Sequence, residues 1–159
     1  MASIVTLVPV VLAALPGVFT TALTGMSTPV RASAIYDGTP DTGDMPAEFA
    51  ACGYAEDRPC VMGATALSDI GNRLHDDTFS VWNVISVAKG NAPNTDATVR
   101  CSAMLAAVVA GIEGDPTLGG AIPAPGYASL GQYEWTRAAS GVGNYVSILF
   151  TVHVESRAI

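Results

Sequence analysis

The sequence predicts an α+β domain, a mostly antiparallel sheet flanked by an N-terminal helix and a central helix. Three observations predict it. Residues Thr78 to Gly114 switch from a two-residue apolar period to a three-and-four-residue one. A C-terminal run, Val142 to Glu155, alternates cleanly. An apolar N-terminal run carries helical spacing.

The central unit comes first. In Thr78 to Gly90, Phe79, Val81, Ile85 and Val87 fall on one face, interrupted by Asn83. Ser80, Trp82, Val84 and Ser86 fall on the other, as in a strand rich in β-branched and aromatic residues. Beyond Pro93 the period changes, and Met104, Leu105, Val108, Val109 and Ile112 form one helical stripe. Asn94, Thr95 and Asp96 are candidate N-caps, and Gly114 before Asp115-Pro116 is a candidate left-handed stop. Burying the five stripe residues contributes about 1.5–3 kcal/mol each before entropy is subtracted.

Residues Ala2 to Thr24 resemble a leader or a membrane span in apolarity alone. No basic residue precedes Arg31, which counts against a signal peptide, and Pro9 and Pro16 interrupt a span. The favoured reading is a buried amphipathic helix with Val8, Val11, Leu12, Leu15 and Phe19 as its packed stripe, Pro16 being the point where it would split. Arg31-Ala32-Ser33-Ala34 retains the small-residue character of a cleavage site, so a leader stays open as an alternative.

Ile35-Tyr36-Asp37 reads as a short strand and Gly38 to Pro46 as a loop. Ala47 to Tyr54 reads as a short helix or irregular link, Arg58 to Leu67 as a strand, and Ser68 to Asp77 as a polar connection. Asp115 to Ser129, rich in glycine and proline, reads as a long surface loop. Leu130 to Ala138 and Val142 to Glu155 then form a hairpin about Ser140-Gly141-Val142-Gly143-Asn144. No helix follows these glycines, so a phosphate loop is not favoured. In the last strand Val146, Ile148, Phe150, Val152 and Val154 face the core, and Tyr145, Ser147, Thr151, His153 and Glu155 face away. The whole is one domain over 1–159: helix region 1–25, strand–helix core 78–114, loop 115–129, hairpin 130–155.

Composition narrows function. Half the residues are apolar and 13% are charged, a charge-poor surface that points to an oligomer or assembly subunit. The net charge of −7, with Lys89 the single lysine, suits a surface that repels nucleic acid better than one that binds it. Cys52, Cys60 and Cys101 contain no CxxC pair; Cys101 reads as a core residue, and a Cys52–Cys60 pair is the less favoured alternative to free thiols.

The search for chemistry ends without a site. Asp37, Asp41 and Asp44 lack the spacing and closing glutamate of a calcium loop. His75-Asp76-Asp77 has no second histidine at ligand spacing, His153 being remote, and reads as a loop. Glu134 and Glu155 lie on neighbouring strands, but exposed strand carboxylates are ordinarily solvated. Trp82, Tyr133, Trp135 and Tyr145 read as cross-strand packing, since few basic residues surround them. No catalytic, cofactor-binding or metal-ligating residue is assigned, and the chain reads as a non-enzyme.

The layout resembles the tail terminator proteins of long-tailed bacteriophages. The parts that carry the resemblance are the apolar N-terminal helix followed by IYDGTP (Ile35 to Pro40), and FSVWNVISVAKG (Phe79 to Gly90). They continue in TVRCSAMLAAVVAGIEG (Thr98 to Gly114), a variable loop, and YVSILFTVHVE (Tyr145 to Glu155). The resemblance implies a homo-hexameric ring that caps the tail tube, stops its polymerisation and joins it to the head–tail connector or stopper. It implies a virion protein of the tail–neck region, assembled in the host cytoplasm, with no cofactor and no membrane partner. DNA would pass its acidic lumen without specific binding. Ring or neighbour contacts would fall among the loops Gly38 to Pro46, Leu67 to Asp77 and Asp115 to Ser129. A head–tail stopper, connector or other neck or tail subunit is the alternative, and a secreted hydrolase or binding module stands behind it.

Overall fold

The computed structural model describes residues 6–40, 46–69, 74–90, 93–140 and 143–156. Its elements are α1 (Val8–Thr24), a short 3-10 turn (Ala32–Ala34), β1 (Ile35–Asp37), β2 (Glu48–Cys52), β3 (Val61–Asp69) and β4 (Leu74–Ala88). These are followed by α2 (Asn94–Gly114), β5 (Tyr127–Ser140) and β6 (Gly143–Ser156). The fold is the expected α+β one: a six-stranded sheet, antiparallel except for the β1–β2 pair, with two helices on one face.

β4 is the spine. One of its edges pairs with β6 from Asp77↔Ser156 to Ala88↔Tyr145. The other edge is shared, β3 taking Leu74 to Val81 and β2 taking Val84 to Val87. β5 closes the far side on β6. The alternation read from the sequence is realised, since Phe79, Val81, Ile85 and Val87 are buried with Val146, Ile148, Phe150, Val152 and Val154. Against this face α1 sets Val11, Leu15, Phe19 and Leu23, and α2 sets Ala97, Cys101, Met104, Val108 and Ile112. Leu105 and Val109, placed on the stripe by spacing, lie at its flank and are half-buried. Phe19 stacks on Phe150 with ring centroids 6.0 Å apart, which fixes α1 on the sheet as part of the core. α2 is long and apolar enough to cross a membrane by length and composition, but its stripe is packed on the sheet.

Asn83, the polar residue interrupting the apolar face, is fully buried and uses both ends of its amide. Its Oδ1 accepts from the Gly53 N–H at 3.0 Å and its Nδ2 donates to the Val81 carbonyl at 2.9 Å. Gly53 has φ +62° and packs under Leu12 of α1, so a side chain there would be strained by its backbone and would push the Leu12 methyl aside.

Several local expectations are corrected. Pro16 does not split α1, which runs unbroken from Val8 to Thr24. Ala47 to Tyr54 is not a helix or link but carries β2, whose Phe49, Ala50, Ala51 and Cys52 are buried on both faces and so show no alternation. Ser68 to Asp77 is largely strand: β3 extends to Asp69 and β4 begins at Leu74, so His75-Asp76-Asp77 lies in β4, not in a loop. β3 begins at Val61 instead of Arg58. The long loop ends before Tyr127, where β5 starts.

The caps of α2 differ too. The cap position is Pro93, no side chain caps the helix, and Thr98 Oγ1 donates back to the Asn94 carbonyl at 2.7 Å. Gly114 is not left-handed. The helix ends because Asp115 is extended ahead of Pro116, and the Asp115 carboxylate accepts from the Thr117 hydroxyl at 2.6 Å and the Gly119 N–H at 2.8 Å.

Candidate functional site

The sheet face opposite the helices carries Trp82, Tyr145 and several of the polar groups that the sequence left unassigned. It presents Ser80, Trp82, Val84 and Ser86 from β4 and the odd-numbered residues Tyr145 to Glu155 from β6. A groove of about 970 Å³ lies on it, floored by Val84, Ser147 and Leu149 and walled by Phe49, Tyr54 and Tyr145. Ser147 donates to Ser86 across the floor at 3.0 Å.

The connection from β2 to β3 straps this face. Tyr54 N–H donates to the Trp82 carbonyl at 2.9 Å, and Trp82 N–H donates to the Cys60 carbonyl at 2.8 Å, so the excursion leaves and rejoins β4 at one residue. Between them Arg58 lies over the Trp82 ring, 4.5 Å from its centroid. Its guanidinium reaches both Glu134 oxygens, at 3.4 and 3.2 Å, and Asp57 at 3.5 Å. The fork-on-fork pairing suits arginine in a way lysine would not reproduce.

At the other end of the same face, Ser80 Oγ and His153 Nδ1 are 3.2 Å apart. His153 Nε2 is 3.5 Å from Glu155 Oε1, and Tyr127 donates to Glu155 Oε2 at 2.8 Å. The side-chain types are those of a nucleophile, a base and an orienting acid. Ser80 sits inside β4 between β3 and β6, where the ladders occupy the strand's backbone donors, so β4 itself offers no free N–H to an oxyanion beside it. The row is best described as polar bonding across a sheet face.

The candidate residues read from the sequence are dispersed. Glu134 is registered with Leu149, six residues from Glu155 along β6, or about 20 Å at the usual strand rise. Each glutamate has its own partner, so they form no acid–base pair. The aromatic cluster is divided between faces: Trp82 and Tyr145 are on the helix-free side, whereas Tyr133 and Trp135 oppose Phe150 and Ile148 on the helix side. A bulge between Leu130 and Tyr133 causes this. Gln132 N–H donates to Thr151 Oγ1 at 2.7 Å, and a side chain on Gly131 would collide with that same oxygen. Asp41 and Asp44 lie outside the described residues. Among the described residues no group of three metal-capable side chains occurs.

Sequence reading missed Arg58 and the Ser80–His153 pair. Arg58 meets Glu134 across 76 residues, and Ser80 meets His153 across 73, so no local motif signals either. A third pair, Arg100 and Glu48, bonds α2 to β2 through two contacts of 2.8 Å. The Arg100 guanidinium holds the Glu48 carboxyl below its ordinary value. Cys52 and Cys101 are buried free thiols, both pushed up by desolvation, Cys101 to about 12. Cys60, half-buried, is also free.

No protein-family model matches the chain. No curated protein matches it either. Among solved structures, it is similar to a chain of the "Virion of native gene transfer agent (GTA) particle". The TM-score is 0.50 at 13% identity, covering 91% of this chain and 96% of the other. At that identity the likeness is one of fold, and it extends over nearly the whole of both chains.

Proposed function

We propose that this chain is a structural subunit of a phage-like virion, and within that class a tail terminator. The observation that carries the reading is the near-full-length likeness in fold to a chain of a gene transfer agent virion. The charge-poor composition supports it, as does a sheet that ends on one side in the long, largely exposed strand β5, a form suited to contacts between subunits. In this role the protein forms a homo-hexameric ring at the end of the tail tube, halts its growth and receives the head connector. It acts by contact, without a cofactor or a catalytic centre. The net negative charge lets DNA pass the lumen without adhering.

The test is tail length by negative-stain electron microscopy in lysates lacking the protein. Overlong or ragged tails with unattached heads are expected. Tails of normal length with detached heads would move the protein to the head side of the joint, as a stopper or connector.

A further inference from the structure

We propose that a basic groove on the helix side of the sheet seats the acidic tip of the β2–β3 connection, Glu56-Asp57, of a second copy of the chain. The proposal rests on the ring-subunit reading and names the contact that would link one subunit to the next.

The chain carries 14 carboxylate side chains against 7 arginines and lysines, yet its cations are not scattered. Among the described residues five arginines and lysines occur, and three of them, Arg31, Lys89 and Arg100, line one groove of about 720 Å³. Glu48 is the one carboxylate lining it, and Arg100 already holds it through two contacts of 2.8 Å. Arg31 and Lys89 are exposed, and neither is in ion-pair contact with a carboxylate among the described residues. A groove with two uncommitted cations is complementary to an acidic segment of a partner. A protein carboxylate suits it better than nucleic acid, because the chain as a whole is acidic and repels an extended polyanion.

The chain's own surface supplies that segment. Glu56 and Asp57 are adjacent and exposed, the Asp57 side chain at 78%. They stand at the tip of a strap whose two ends are bonded to Trp82, so the tip projects from a fixed base. The other acids offer less. Asp76-Asp77 is the one further adjacent pair among the described residues, and Asp77 is buried holding the Leu7 N–H. Glu134 is engaged by Arg58, and Asp115 is bound into its own turn with Thr117 and Gly119. Asp37, Asp96 and Glu113 have no adjacent acid in the chain.

Position makes the contact a repeating one. The groove is on the helix side, since Arg100 belongs to α2 and Glu48 is registered with Val87, which is buried beneath the helices. The strap is on the opposite face, with Arg58 over Trp82. A two-fold contact using both would need tip and groove at one interface. Set on opposite faces, they join copies back to front, each copy giving its tip to one neighbour and its groove to the other. Such a contact closes into a ring when the rotation per copy completes a circle.

The test is molar mass by size-exclusion chromatography with light scattering, on the full chain. Wild type is expected as a multimer whose mass falls as salt is raised, since exposed charges are screened. Arg31→Glu with Lys89→Glu should give monomer, and so should Glu56→Lys with Asp57→Lys, each with unchanged circular dichroism. Arg100, which holds Glu48, is left in place. Mixing the two variants should restore a multimer, because acidic tip then meets basic groove and basic tip meets acidic groove in alternation. All four substitutions in one chain should restore it as well. Monomeric wild type overturns the proposal. So does loss of assembly in one variant alone, or in both without recovery on mixing, which would give the groove to another occupant. A DNA oligonucleotide retained by wild type and released by the Arg31–Lys89 variant would likewise overturn it. If neither variant alters the multimer, this contact is wrong while the ring reading stands. If tails terminate normally without a protein that nevertheless assembles through this pair, the terminator reading fails and the contact stands. Should a variant misfold, the salt dependence of wild type decides, and a mass unmoved by salt overturns the contact.

Discussion

The carboxylate of Asp77 accepts the backbone N–H of Leu7 at 2.7 Å, across 70 residues of chain. The same oxygen accepts the Thr6 hydroxyl at 2.8 Å. A buried residue of β4 thus ties down the start of α1, where free N–H groups need acceptors and negative charge is favoured. Replacing Asp77 by Ala leaves the Leu7 N–H without its acceptor, and urea denaturation should register a loss of about 1–3 kcal/mol. A midpoint equal to wild type would mean that the contact contributes nothing net.

The stacked pair Phe19–Phe150 makes α1 part of the core. Phe150→Ala should cost about 3–5 kcal/mol, the usual range for a large buried aromatic. Removal of residues 1–24 should abolish cooperative unfolding, because it uncovers the fully buried Phe150 and its neighbours. A truncated chain with a wild-type melting curve would reinstate the leader reading of this segment.

Arg100 and Glu48 supply a pH dependence with a definite sign. The folded-state pKa of Glu48 lies below its ordinary 4.5, chiefly through the hydrogen bonds from Arg100. The unfolded chain then binds a proton more readily than the folded one. The pair's contribution is therefore present above pH 4.5 and lost as pH falls through the depressed folded value. Because both groups are partly solvated, the amplitude should be about 1 kcal/mol or less. Arg100→Met should flatten this component of an acid titration of stability; an unchanged acid limb would count against it.

The three thiols should separate by reactivity. Cys60 is half-buried, while Cys52 and Cys101 are buried with raised pKa values. At mild alkaline pH intact mass should show one fast alkylation, and two more only in denaturant. Failure to label three sites in denaturant would reveal a disulfide.

The sequence by itself determined the parts whose burial is one-sided. β6 buries chiefly one face and β4 turns Phe79, Val81, Ile85 and Val87 to the helices, so period-two alternation was legible, and α1 and α2 each bury one stripe at period 3.6. The α+β class followed from those four segments. β2 escaped because burial on both sides erases its pattern. The start of β4 escaped because Asp77, a polar residue by sequence, is buried there to hold the Leu7 N–H. Only tertiary structure decided which residues meet. One extra residue at Gly131-Gln132 turns Tyr133 and Trp135 to the opposite face from Trp82, and the β4–β6 register alone brings Ser80 to His153. Those outcomes depend on strand register and a bulge held by Thr151, interactions between positions far apart in the chain that no local spacing encodes.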